Sequence, residues 1–222
     1  MVRITTLVGR AASGPVMSRV AAMPSRKRAT WVPYKTMPEP YSVVHASRLD
    51  LVPMPPPLMR SILAEDWTTA GRLLGAQIPQ EWRSEHWRWL GNRPDQAEAD
   101  PSLIPWFPRV LVLRQPADCS GGGPAVVGEA GFQGPPDDEG RVEFGYMVIT
   151  DYRRRGFAEE AVRALTAWAI RERGITRFRA FIGPQNIPSL SLIRKLGFVQ
   201  VGSYQHEELG EQLIFHGDEA LG

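Results

Sequence analysis

Along this chain the apolar positions alternate between a two-residue and a three-to-four-residue period, and the switches mark its elements. Residues 142–149, Val-Glu-Phe-Gly-Tyr-Met-Val-Ile, are rich in β-branched and aromatic side chains and predict a buried strand. After a basic turn, apolar residues fall at Ala158, Ala161, Val162, Leu165, Trp168 and Ala169, the spacing of a helix with one buried face. A further strand is predicted over 176–182, with Phe178, Ala180 and Ile182 on one face. A short helix follows, with Asn186 as its N-cap, Pro188 in its first turn, and Gly197 before apolar Phe198 as its stop.

The same reading earlier in the chain gives a first strand over 44–51, a proline-rich stretch over 53–57, and helices over 58–65 and 67–74. Another helix over 81–90 puts Trp82, His86 and Trp89 on one face. A loop runs to Pro108, and strands at 109–114 and 125–132 are joined by a glycine-rich segment; the tail gives strands at 199–208 and 212–216. This order predicts an α/β (α+β) fold, a mixed twisted β-sheet flanked by helices. Residues 41–222 form one domain, and residues 1–40, without periodicity and broken by Pro15, Pro24, Pro33 and Pro38, form an extension outside it.

The strand, turn and helix around residue 154 have a specific chemistry. A helix N-terminus leaves its first amides without intrahelical partners and carries about half a positive charge, so it attracts anions. Arg153, Arg154 and Arg155 add mobile cations there, and Gly156 lets backbone come close to a phosphate. Alone, such a turn is equally well read as a solvated basic loop.

Two motifs in order decide between these readings. Arg153-x-x-Gly156-x-Ala158, preceded by Glu143-Phe144-Gly145-Tyr146, and Asn186-x-x-Ser189 with Lys195-Leu196-Gly197-Phe198, together resemble the GNAT superfamily of acyl-CoA-dependent N-acetyltransferases, and within it the RimJ/RimL-like branch that acetylates ribosomal-protein alanines. The likeness is strongest over residues 127–201. It implies acetyl-CoA as co-substrate and no metal. The pyrophosphate would lie on the amides around Arg154, Arg155, Gly156, Phe157 and Ala158, with Arg153 to Arg155 reaching the phosphates. The edge of the strand at Tyr146, Met147 and Val148 would pair with the pantetheine arm as an added strand. Asn186 would orient the pantetheine or thioester, and Ser189 would lie near the sulfur. The chain departs from the pattern at Ile193, where many members carry a tyrosine that protonates the leaving thiolate. Ser189, a water, or no dedicated acid remain for that role, and a thiol of ordinary pKa about 8.5 leaves tolerably without help.

The reaction implied is direct transfer of acetyl to a primary amine, on a protein or peptide N-terminus or on a small molecule. Backbone amides of the 146–148 strand are candidates for meeting the developing oxyanion. Glu143 is the first candidate base and Glu129, on the neighbouring strand, the second. Trp82, His86, Tyr204 and His206 are candidate acceptor contacts, set against core packing of the aromatic face. The rival function is a domain that binds CoA or a partner without turnover.

Composition sharpens this reading at three points. With 43% hydrophobic residues and seven tryptophans in 222 residues, the chain can bury one substantial core, and no apolar stretch approaches the roughly 20 residues of a membrane span. Cys119 is the only cysteine and the four histidines are scattered, which argues against disulfides, a catalytic thiol and a metal site. Net charge is only +2, yet the chain before Glu39 carries Arg3, Arg10, Arg19, Arg26, Lys27, Arg28 and Lys35 and no acid. That arm reads as a disordered extension or upstream start, as a mitochondrial transit peptide, or as a basic arm touching RNA or ribosomes. A cytoplasmic enzyme is expected, mitochondrial if the transit reading holds, and the family leaves a homodimer open.

Overall fold

Eight strands form one sheet in the order β1-β2-β3-β4-β5-β6-β8-β7; the computed structural model describes residues 41–84, 87–115 and 123–218. The strands are β1 (Val44–His45), β2 (Leu49–Pro53), β3 (Pro108–Leu113), β4 (Ala125–Phe132), β5 (Arg141–Val148), β6 (Arg177–Ile182), β7 (Val199–His206) and β8 (Gly210–Asp218). All neighbours are antiparallel except β5 and β6, so the sheet is mixed, as the pattern predicts. The proposed extension and Cys119 lie outside the described residues.

Period-two alternation sorts the core into two layers. Val142, Phe144, Tyr146 and Val148 of β5 pack with α5 (Phe157–Arg173) and α6 (Ile187–Lys195) on one face. Met147 and Ile149 pack on the other face, beneath α1 (Pro56–Leu63), α2 (Trp67–Leu74), α3 (Gln80–Arg83) and α4 (Arg93–Ala99).

The expected strand over 44–51 is instead a tight hairpin, with Val44 opposite Leu51. Its turn is held by Arg114, whose guanidinium donates to the carbonyls of Ala46 and Leu49 at 2.9 Å, to the Ser47 carbonyl, and to Asp50 at 2.7 Å. Burial works against the charge of Asp50, but hydrogen bonds from His45 and Arg114 prevail and hold its carboxyl below the ordinary range. The expected helix over 81–90 is also broken. Trp82 and Trp87 pack against each other with centroids 4.2 Å apart and planes tilted by 57°, whereas residues five apart on one helix diverge by about 140°. Only α3 followed by a separate 3-10 turn, Trp87–Leu90, lets both rings enter the same core. Between Leu90 and Pro108, read from sequence as loop, the chain forms α4 and a second 3-10 turn, Pro101–Trp106.

Two glycines permit the central pairing. A bulge shifts the β3–β4 register at Leu111/Val112, and there Gly128 adopts φ +155° with no room for a Cβ, which would lie 2.0 Å from the Met147 carbonyl oxygen. Gly131 faces Pro108, and a Cβ on it would lie 2.3 Å from the Pro108 Cα. Gly131→Ala should therefore cost about 2–3 kcal/mol in urea denaturation through backbone displacement. Gly140→Ala, in an open turn at φ +72°, should cost about 1 kcal/mol from its left-handed backbone alone.

Candidate active site

The parallel partners β5 and β6 are in register only from Arg141 opposite Arg177 to Glu143 opposite Arg179. At that end Arg141 joins three strands, donating to the Phe178 carbonyl at 3.2 Å and to Asp218 on β8 at 2.8 Å. Past Glu143, β5 continues to pair with β4 through Val148, and β6 continues with β8 through Ile182, leaving a gap between them. Amides alternate in direction along a strand. Ile149 N–H donates to Val127 on the β4 side, so the N–H and C=O groups of Tyr146 and Val148 face the gap. Those of Met147 face β4, which removes Met147 from the predicted backbone edge, and its side chain packs in the layer on the opposite face of the sheet.

A cleft of about 400 Å3 opens along this edge. Tyr146, Met147, Val148, Arg153, Arg154, Gly156, Phe157, Ala158 and Ser189, all singled out from sequence, line it. Tyr152, Glu159, Pro188 and Leu192 complete the lining; Glu159, Pro188 and Leu192 enter through helix phase and Tyr152 from the 3-10 turn Thr150–Tyr152.

The N-terminus of α5 points into the cleft. Of its 17 residues none supplies a side-chain cap, and Gly156 at the N-cap position sits at φ +81°. Arg154 is also left-handed, at φ +59°, a conformation that only the surrounding contacts can hold in a non-glycine residue. Gly156 is favoured by this left-handed backbone, and the space where a Cβ would stand is bordered by Arg48 Nη2 at 3.4 Å, an ordinary contact. The expected trio of mobile arginines divides into distinct roles. Arg153 donates from Nε to the Val148 carbonyl at 2.8 Å and lies 3.8 Å from Glu81, so it fixes the loop to its own strand. Arg155 stacks over Tyr152 at 5.5 Å. Arg154 faces the cleft.

Asn186 is the N-cap of α6, its side chain accepting from Ser189 N–H at 3.2 Å. Ser189 is buried, and its hydroxyl lies beside the phenol of Tyr146. The two influence each other electrostatically without a well-formed hydrogen bond, since the Tyr146 oxygen has no partner of good geometry. Burial, opposed by Ser189, pushes the Tyr146 phenol up to about 12. Ile193, fully buried in the core, offers no proton.

Glu143 lies at the vertex of the gap on the sheet face covered by α4. Burial pulls the Arg93 guanidinium down to about 10, and the nearby negative charge of Glu143 opposes that shift. Burial raises the Tyr204 phenol, Glu143 raises it further and Arg179 offsets part of this. Glu143, Arg93, Arg179 and Tyr204 therefore form one electrostatic group, with His206 6.3 Å from Tyr204. Arg93, seated over Trp89 and Phe107, was hidden in the stretch read as loop; the signal was Asn92 before Arg93-Pro94, a helix start. Trp82 is a correction. It has no exposed surface and packs between Trp67 and Trp87, so it belongs to the core rather than to an acceptor wall. His86 lies outside the described residues. Among the described residues no cluster of metal-binding side chains forms, and no helix is long and apolar enough to cross a membrane.

Residues 48–199 match a family model described as an acetyltransferase (GNAT) domain. An uncharacterized N-acetyltransferase of Bacillus subtilis, YjdG, is 33% identical over 84 residues, 36% of this chain and 50% of that protein. An N-acetyltransferase 9-like protein of Caenorhabditis elegans is 44% identical over 75 residues, 32% of this chain and 36% of that one. The chain thus spans half or less of the length of these curated relatives. In fold it is similar to the ribosomal-protein-S5-alanine acetyltransferase of Vibrio fischeri, with TM-score 0.55 and 14% identity over 80% of this chain and 96% of that one. It is likewise similar to the ribosomal L7/L12 acetyltransferase RimL in complex with CoA, with TM-score 0.54 and 12% identity over 81% and 99% of the two chains.

The Tyr146 environment predicts an alkaline limit. Its folded-state pKa of about 12 lies above the ordinary 10.0, so between those pH values the unfolded chain has released a proton that the folded chain retains, and stability falls across that window. Comparing melting temperatures at pH 8 and pH 11, Tyr146→Phe should lose less than the wild type does.

Proposed function

Since this chain belongs to the GNAT acetyltransferase family, we propose that it transfers an acetyl group from acetyl-CoA to a primary amine by direct attack in a ternary complex. The observation that carries this is the uncapped N-terminus of α5 facing a cleft whose long wall is an unpaired strand edge. The two features suit the two halves of the ligand, an anionic pyrophosphate followed by an amide-bearing arm. The amides at Gly156 to Ala158 with Arg154 would hold the phosphates, and the Tyr146 C=O and Val148 N–H would pair with the arm, the Val148 carbonyl being held by Arg153. Ser189 would border the sulfur end.

The amine would approach from the face where Glu143 lies. Glu143 takes its proton, directly or through a water, and the nitrogen lone pair attacks the thioester carbon. The Tyr146 N–H, directed into the gap, stabilises the negative charge that develops on oxygen. The carbon–sulfur bond then breaks with its electron pair leaving on sulfur, and the thiolate takes up the second proton that the nitrogen gives up as the neutral amide forms. Tyr204 and His206 would border the acceptor, a protein N-terminus or a small amine. The domain would work in the cytoplasm on acceptors that diffuse to it.

Calorimetric titration should show micromolar acetyl-CoA binding by the wild type and none by Gly156→Glu, which adds bulk and negative charge to the cradle. Among peptides and small amines assayed by thiol release, Glu143→Gln should lower kcat about a hundredfold with the acetyl-CoA Kd unchanged. Binding without thiol release from any acceptor would favour the non-catalytic alternative, and absence of binding by folded wild type would overturn both.

A further inference from the structure

Arg48 projects from the β1–β2 turn, more than a hundred positions before the phosphate loop, yet it touches that loop on three sides. Its guanidinium lies 4.3 Å from the ring centre of Phe157, the first residue of α5. Its Nη1 donates to the Arg155 carbonyl at 3.0 Å, and its Nε to Glu160 at 2.7 Å. Glu160 also accepts from the backbone N–H groups of Arg48 at 2.5 Å and Leu49 at 3.1 Å. The remaining nitrogen, Nη2, makes no hydrogen bond among the described residues and points at Gly156, 3.4 Å from where a side chain there would begin. The arrangement is rigid from behind, because Arg114 holds the carbonyls of the turn.

The charges here are opposed in a telling way. Glu160 is in the first turn of the helix whose N-terminus faces the cleft. A carboxylate there stabilises the helix itself but repels any anion placed on the same amides. Arg48 neutralises Glu160 through Nε and holds the Arg155 carbonyl through Nη1, which leaves Nη2 directed at Gly156 as a charged donor that suits a phosphate oxygen.

We propose that Arg48 is a further phosphate-binding residue of the cleft, with Glu160 as an internal competitor for its charge. This rests on the acetyl-CoA reading of the cleft. It assigns to the β1–β2 turn a direct part in cofactor affinity.

The test is binding of acetyl-CoA and of S-acetylpantetheine, which lacks the phosphates, by wild type, Arg48→Gln, Arg48→Lys and Glu160→Gln. Arg48→Gln should weaken acetyl-CoA about tenfold at low salt, leave S-acetylpantetheine unchanged, and be partly rescued by Arg48→Lys. Glu160→Gln, whose amide oxygen still accepts from Arg48 and Leu49, should tighten acetyl-CoA about threefold. Both effects should shrink at 0.5 M salt, where the Debye length is about 4 Å. Equal weakening toward both thioesters would make Arg48 a structural buttress only, and weaker or unchanged binding by Glu160→Gln would end the competitor role. Should Arg48→Gln fail to fold, the sign of the Glu160→Gln effect decides by itself. Wild type that binds neither thioester would instead remove the acetyl-CoA reading on which the inference stands.

Discussion

The separation of β5 from β6 after a three-residue register is the constraint on which the rest of this molecule depends. A parallel pair normally stays zipped for its whole length, since every buried strand amide left unpaired costs free energy. Here Arg141 secures the zipped end through Phe178 and Asp218, while β4 and β8 hold the two strands on their outer sides. The gap is therefore a stable part of the sheet. It brings the helix that follows β5 and the helix that follows β6 to the same opening.

Charge is distributed around the gap by sheet face. Tyr146, Ser189 and the start of α5 border the side closed by α5 and α6, an apolar cleft with cations at one end. Glu143, Arg93, Arg179 and Tyr204 gather on the other. Because side chains alternate along β5, Glu143 and Tyr146, with only Phe144 and Gly145 between them, put a carboxylate on one face and a phenol on the opposite face. One strand thus serves both the site that would bind an anion and the site that would deprotonate a cation, with backbone between them.

What was legible in the sequence was what depends on short segments. The strand over 142–149, the helix after Gly156 and the Asn186 cap follow from local periodicity and capping chemistry, and the cleft lining from Tyr146 to Ala158 follows from the family resemblance of the two motifs. What was not legible depended on contacts across the chain. The hairpin at residues 44–53 reads as one strand because nothing local announces that Arg114 will collect its carbonyls. The helix over 81–90 reads as continuous because its apolar spacing is helical, and only the shared pocket of Trp82 and Trp87 breaks it. Arg93 was passed over because a short helix opened by Asn92 and Pro94 has little periodicity of its own. Arg48 gave no signal at all, since its partner Glu160 lies 112 positions away.

A sheet interrupted at its centre resembles a ladder with rungs left out, and the missing rungs have an address. Tyr146 and the N–H of Val148 face the gap, the Val148 carbonyl being taken by Arg153, while Met147 and Ile149, their neighbours, are bonded to β4. In ordinary proteins unpaired edges occur at the rim, where solvent and charge guard them against pairing with another chain. This edge is internal, at the centre of the sheet and bordered by α5 and α6. The helices that shape the cleft thereby also shield the edge from sheet-to-sheet pairing with a neighbouring chain, so one device serves both the protection of the sheet and the opening within it.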